Sequence, residues 1–168
     1  NNMSKLNFAE EYQVVPLLAP ADIVATAAVT RYVKLGSIGR GQLEIEVNLG
    51  ALTTTDSTGE VVVTVVGNDT NDTSTSDNNE VAAAFSYRLS GAVGTDAMGA
   101  ITQASATGAV VANTGDNKSL LIYVDPAVIG QKYVRAVITP TADLTSTIVG
   151  AVGRFIPRKA QNAQPSSS

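Results

Sequence analysis

The chain has no cysteine, no histidine and no tryptophan, and only 5% of its residues are aromatic. Without cysteine there is no disulfide framework and no thiolate metal site. Without histidine the commonest general base and the commonest metal ligand are both missing. Without tryptophan the strongest platform for stacking a sugar ring is gone. Lysine and arginine are scarce as well: 11 against 15 acidic residues, for a formal net charge of −4. An acidic chain is a poor partner for nucleic acid, whose backbone binding needs clustered cations. Long apolar runs are also lacking, so no membrane-spanning helix is expected. No apolar segment of the secretory type follows the first residues, and no secretory signal is expected.

What is present is strand pattern. At 168 residues with 44% hydrophobic content, the chain is long enough for one domain with its own core. With so few aromatics, that core must be built from Val, Ile, Leu and Ala. Leu43, Ile45, Val47 and Leu49 alternate with Glu44, Glu46 and Asn48, the period of a strand with one dry and one wet face. Thr30–Leu35 reads as a strand, with Gly36–Gly41 as the turn after it. Val61–Val66 is a β-branched run suited to a strand covered on both faces. Ala82–Leu89, Leu120–Val124, Lys132–Thr139 and Thr147–Ile156 follow, with weaker signals at Ala100–Ala104 and Ala109–Ala112. Helix is confined to Leu6–Tyr12 and to a turn at Pro126–Gly130, capped by Asp125 with Pro126 at the first helical position.

About eight strands separated by Gly-, Asn-, Asp- and Thr-rich turns predict an all-β, antiparallel, jelly-roll-like β-sandwich. An immunoglobulin-like sandwich has a similar count and stays open. Residues 1–28, with Pro16 and Pro20, read as an extended N-terminal arm. Residues 29–157 form the sandwich, and 158–168 a flexible, disordered tail too polar to fold. The exposed Val and Leu of the arm need a surface to pack on, either their own sheet or a neighbouring subunit.

Candidate chemistry is thin. Glu44 and Glu46 share a strand face, as a carboxylate pair for glycoside hydrolysis would. A pair on an open face lacks the pocket that separates two pKa values, so solvated strand residues are the reading preferred. Gly67–Glu80 offers oxygen ligands in calcium-loop spacing at Asp69, Asn71, Thr73, Asp77 and Glu80. Ser74 stands where the sharp turn needs glycine, and strands flank the loop, so a solvated hairpin loop is expected. No catalytic residue, metal or cofactor is expected, and the protein is read as no enzyme.

Charge is segregated along the chain. Residues 41–87 hold eight carboxylates (Glu44, Glu46, Asp56, Glu60, Asp69, Asp72, Asp77, Glu80) and no Lys or Arg. Arg31, Lys34 and Arg40 precede the stretch; Lys132, Arg135, Arg154, Arg158 and Lys159 come late. Two readings stand: ordinary surface charge, or a positive and a negative side that steer association.

From Leu120 onward the chain reads Leu120–Asp125, then the strand Gln131–Thr139 (with Lys-Tyr-Val-Arg-Ala-Val-Ile-Thr) and the closing strand Val149–Pro157 (with Gly-Ala-Val-Gly-Arg-Phe). These segments resemble small virion structural proteins of tailed bacteriophages, and the last two strands are similar to those of jelly-roll decoration, or cement, proteins. The pair Tyr32–Leu35 and Leu43–Gly50 is compatible with that pattern. The resemblance covers about two-thirds of the chain. It implies a protein made in the host cytoplasm and located on the capsid surface of the virion. There it binds the outside of the head as a homotrimer, bridging major capsid subunits, and it brings no active-site residues. The contact makers expected on this reading are Tyr12, Val14, Val15, Leu17 and Leu18 of the arm with Arg31, Arg154 and Arg158. Deletion of residues 3–18 should then weaken shell binding. A tail or head–tail joining protein is the alternative, and a carbohydrate-binding jelly-roll module a further one.

Overall fold

The computed structural model describes residues 12–24, 26–55, 57–71 and 79–157. Twelve strands run β1 Gln13–Asp22, β2 Ala28–Val29, β3 Val33–Lys34, β4 Ile38–Thr54, β5 Glu60–Asn68, β6 Val81–Ala83, β7 Phe85–Leu89, β8 Thr102–Ala104, β9 Ala109–Ala112, β10 Ser119–Val124, β11 Tyr133–Pro140 and β12 Leu144–Pro157. Among the described residues one short α-helix, α1, spans Pro126–Ile129. The sheets are antiparallel. The first has the order β1-β12-β4-β10-β7-β8; the second runs β2-β11-β5-β6, with β3 also on β11 and β9 also on β5.

Three pairings are nested: β4 with β12, β5 with β11, and β7 with β10. This is one long hairpin folded over on itself, the jelly-roll plan, and it explains a chain whose early and late halves lie side by side. The sandwich expected from the alternation is therefore present, with more strands than the eight predicted. The additional ones are the short β2, the outer strand β1, and β6, which splits from Ala82–Leu89; of the strand expected at Thr30–Leu35 only β3, Val33–Lys34, forms. Ala82–Leu89 divides at Ala84: β6 joins the second sheet and β7 the first.

The core lies between the sheets and is aliphatic, as the composition requires. Leu43, Ile45 and Val47 of β4, Val61, Val63 and Val65 of β5, Leu120 and Ile122 of β10, and Val134, Ala136 and Ile138 of β11 are all fully buried. Two-sided cover was expected for Val61–Val66, yet Val62 and Thr64 are half-exposed, so β5 is dry on one face until Val66. Gly36–Gly41 is no turn either. Leu35–Ser37 forms one 3₁₀ turn, and β4 starts at Ile38 and continues through the glycines. α1 matches its signals: Asp125 accepts from the Ala127 amide at 2.9 Å, and Gly130 ends the turn at φ +71°, a conformation glycine adopts without cost.

Residues 13–22, expected within a free arm, are the outer strand of the first sheet, paired with β12 from Gln13↔Phe155 to Asp22↔Ile148 with register shifts between Pro16 and Leu18 and between Leu18 and Ala21. Pro16 and Pro20 suit an edge position because they lack the N–H that an inner strand must donate. Gly153 makes room for the strand, since a Cβ there would come within 3.0 Å of Leu17 Cδ1. Leu17 is buried in the core, which contributes about 2 kcal/mol. Own-sheet packing is thus the fate of this apolar segment, and the boundary drawn at residue 28 cuts through the sandwich. Residues 6–11 of the expected N-terminal helix, and the tail 158–168, lie outside the described residues. Among the described residues no helix is long and apolar enough to cross a membrane.

Candidate interaction surface

The outer face of the first sheet follows from strand alternation. With Leu43, Ile45 and Val47 inside, Glu44 and Glu46 must point out, and β12 places Arg154 opposite Glu44 and Val152 opposite Glu46. Arg154 donates from Nη1 to Glu44 Oε1 at 2.7 Å and from Nη2 to Glu46 Oε2. Ser119 Oγ donates to Glu46 Oε1 at 3.1 Å. Burial lowers the tendency of the Arg154 guanidinium to hold its proton, but the hydrogen bonds to both carboxylates outweigh it and raise the pKa above its ordinary value. The two carboxylates are thus tied to one cation, an arrangement for holding charge in place and not for moving protons.

Around this triad the same face carries apolar side chains. β10 sets Leu121 opposite Glu46 and Tyr123 opposite Glu44, both half-buried. Val152 is half-buried beside them, and β1 adds the exposed Pro16 next to Val152 and Val14, 56% exposed, next to Arg154. A solvated sheet face alternates to polar residues. Here Val14, Leu121, Tyr123 and Val152 occupy positions where polar residues are the norm.

A second arginine sits inside. Arg135 on β11 is 1% exposed and donates from Nε to Glu80 Oε1, with its guanidinium carbon 4.6 Å above the Tyr32 ring. Tyr32 donates its hydroxyl to the same Glu80 oxygen and accepts from Asn68 Nδ2 at 3.1 Å. Tyr133 meets Tyr32 edge-on at 6.2 Å. Burial, then the hydrogen bond to Glu80, raises the Tyr32 pKa above its ordinary 10.0. Glu80, the last position of the supposed calcium loop, is therefore committed to Arg135 and Tyr32. Residues 72–78 of that loop lie outside the described residues, among which no group of three or more His, Cys, Asp or Glu is placed to hold a metal.

These contacts resolve the charge pattern. Glu44, Glu46 and Glu80 of the acidic stretch pair with Arg154 and Arg135 of the late strands, so part of the expected opposition between two sides is cancelled inside the molecule. Arg31 and Lys34 are exposed and make no ion pair among the described residues. Both line a groove of about 410 Å³ beside β1 and β3, with Gln13, Val15, Leu17, Tyr133 and Phe155 among its walls. An adjoining cleft of about 370 Å³ shares Arg31, Tyr32 and Asn71 and reaches Arg135.

The expected contact residues therefore separate into two places joined by β1. Val14 and Arg154 are neighbours on the outer face. Val15, Leu17 and Arg31 meet in the groove, where Leu17 serves the core first. Leu18 packs half-buried against the core, and Tyr12 is half-exposed just before β1. Arg158 lies outside the described residues. Leu121, Tyr123 and Val152 are absent from the expected set, as are Lys34, Asn71 and Tyr133. For the first two the signal is legible: Leu120–Val124 is apolar throughout, so if Leu120, Ile122 and Val124 face in, Leu121 and Tyr123 must face out.

No family model matches the chain, and no curated protein matches it. A chain in the structure of infectious bursal disease virus Gt strain is similar at 10% identity and a TM-score of 0.25, over 88% of this chain and 41% of that one. This chain thus spans less than half the length of that one.

Proposed function

We propose that this protein is a virion structural component that binds the outer surface of a phage head and stabilises it by bridging major capsid subunits, as a decoration protein. The observation that carries this reading is the outer face of the first sheet. Val14, Leu121, Tyr123 and Val152 surround a triad whose charges are already paired. Such a face loses little on being covered, because its apolar area leaves water and its ions keep their partners. The sequence resemblance to decoration proteins supports the same role, and a trimer is the assembly it implies. Many copies with modest individual contacts suffice to strengthen a shell.

The test is co-sedimentation of the purified protein with heads that lack it, beside a mass measurement of the protein alone. Saturable binding by a trimer, at a stoichiometry set by the capsid lattice, is expected. Rings or tubes formed by the protein alone, without binding to heads, would move it to the tail. Removing residues 3–18 would also take Leu17 out of the core, so Leu121→Asp is the cleaner variant. It should weaken shell binding at least tenfold while leaving the fold intact.

A further inference from the structure

We infer that the groove between β1 and the Arg31–Ser37 segment is a docking site for an extended, acidic peptide segment of a partner protein. The inference concerns a different surface from the outer sheet face and does not rest on the shell-binding reading.

Charge selects the ligand's sign. Arg31 and Lys34 line the groove without an ion pair among the described residues, and Lys132 is exposed beside Tyr133. No described carboxylate lines either cleft. Glu80, the acid engaged at Tyr32, is turned to Arg135. On a chain of net charge −4, a hollow whose described lining holds two cations without an ion pair and no acid stands out as a local reversal, and it favours an anionic partner.

The walls select the ligand's kind. Val15, Leu17, Val33 and Phe155 form an apolar floor that suits an aliphatic side chain next to the acidic one. Gln13, Ser37, Asn71 and the Tyr133 hydroxyl offer neutral hydrogen-bonding groups for a peptide backbone. Two lining cations over an apolar floor are too few for a phosphate backbone, which needs a stripe of them. A small ligand is a poorer fit than a chain laid lengthwise through two adjoining clefts.

Simple strand addition to β1 is disfavoured. Pro16 has no N–H to give, and the Leu17 carbonyl already accepts from the Arg31 amide at 2.9 Å. Recognition therefore falls to side chains, with Arg31 and Lys34 on the carboxylates, and each copy binds weakly and with marked salt dependence.

The experiment is fluorescence anisotropy with the full-length protein and a labelled decapeptide of alternating Glu and Val, beside a Gln/Val decapeptide, a Lys/Val decapeptide and a labelled oligothymidylate. The Glu/Val peptide should bind at low ionic strength. Its affinity should fall at least tenfold for the doubly reversed variant Arg31→Glu with Lys34→Glu, while Lys118→Glu, just before β10 and outside the lining of both clefts, leaves it unchanged. Both substituted side chains are exposed, and unchanged thermal unfolding verifies that the variant folds. Equal binding of the Gln/Val peptide, or full retention by the reversed variant, would overturn the inference. Preference for the oligothymidylate would overturn it in favour of a general polyanion site.

Discussion

Arg135 and Arg154 sit on the last two strands and both close on carboxylates from the same acidic stretch, but at opposite depths. Arg135 is 1% exposed and shares Glu80 with the Tyr32 hydroxyl. Arg154 is 28% exposed and holds Glu44 and Glu46 on the open sheet face. The pairing of β4 with β12 sets Arg154 directly against Glu44 and Glu46, whereas Glu80, the residue before β6, reaches Arg135 across β5, which lies between β11 and β6. Depth then decides what each pair is for. A buried pair is expensive to break, whereas a half-exposed one contributes little to stability and leaves its face available for contact.

The largest effect should come from Arg135→Ala. It leaves Glu80, 14% exposed, without its cation in a site that water barely reaches, at a cost of about 3 to 5 kcal/mol. Urea unfolding should show the midpoint falling in proportion, with little change in slope. A loss under about 1 kcal/mol, the range of an exposed pair, would erase the contrast between the two arginines. The cost belongs to the orphaned charge, so replacing both partners (Arg135→Met with Glu80→Leu) should recover most of it. A double variant as unstable as the single one would mean that Arg135 acts through packing over Tyr32 instead.

The two pairs are not equally legible in the sequence. Alternation through Leu43–Leu49 is enough to put Glu44 and Glu46 on one outward face, and it leaves open only the identity of their cation. Arg135 is harder. Strand alternation puts the flanking Val134 and Ala136 on one side of β11 and Arg135 on the other, which on an open sheet would face water. It is buried because Tyr32 and Glu80, 103 and 55 positions away in sequence, close over it. Side-chain period reports a face; what covers that face is a long-range fact. The same limit applies to residues 13–22. Two prolines argue correctly against helix and for extended chain, yet nothing local distinguishes an arm in solvent from an edge strand on its own sheet. What tips the balance is Gly153 on β12, which gives Leu17 its place.

Tyr32 supplies a pH-dependent version of the comparison. Its folded-state pKa is raised, so the folded protein holds the phenol proton more tightly than the unfolded chain. The stability this contributes is fully present below pH 10.0 and is lost as pH rises through the raised value. Tyr32→Phe removes two hydrogen bonds and should cost about 1 to 2 kcal/mol at neutral pH. Above about pH 10, the ordinary phenol value, the wild type should lose stability faster than the variant, so the two unfolding curves converge. Parallel curves from about pH 8 to 11, a span bracketing that value, would show that the Tyr32 proton is not coupled to the buried pair.

Arg154→Ala should have the smallest effect on stability. Its carboxylates stay partly hydrated when the cation leaves, so the expected cost is about 0.5 to 1 kcal/mol. Added salt should shrink that difference, because screening already weakens a half-exposed pair. The Arg135→Ala difference, shielded from solvent ions, should change much less over the same range. The outer face itself should be more sensitive than the fold. Without Arg154, Glu44 and Glu46 become two unpaired like charges between Leu121, Tyr123 and Val14, and any partner covering them must strip their water without a counter-ion. If the proposed shell binding holds, binding to heads should therefore drop further than stability does. Were unfolding to shift by about 3 kcal/mol, the range of a broken buried pair, with head binding unchanged, Arg154 would be a second structural anchor, and the contact surface would have to be sought in the groove.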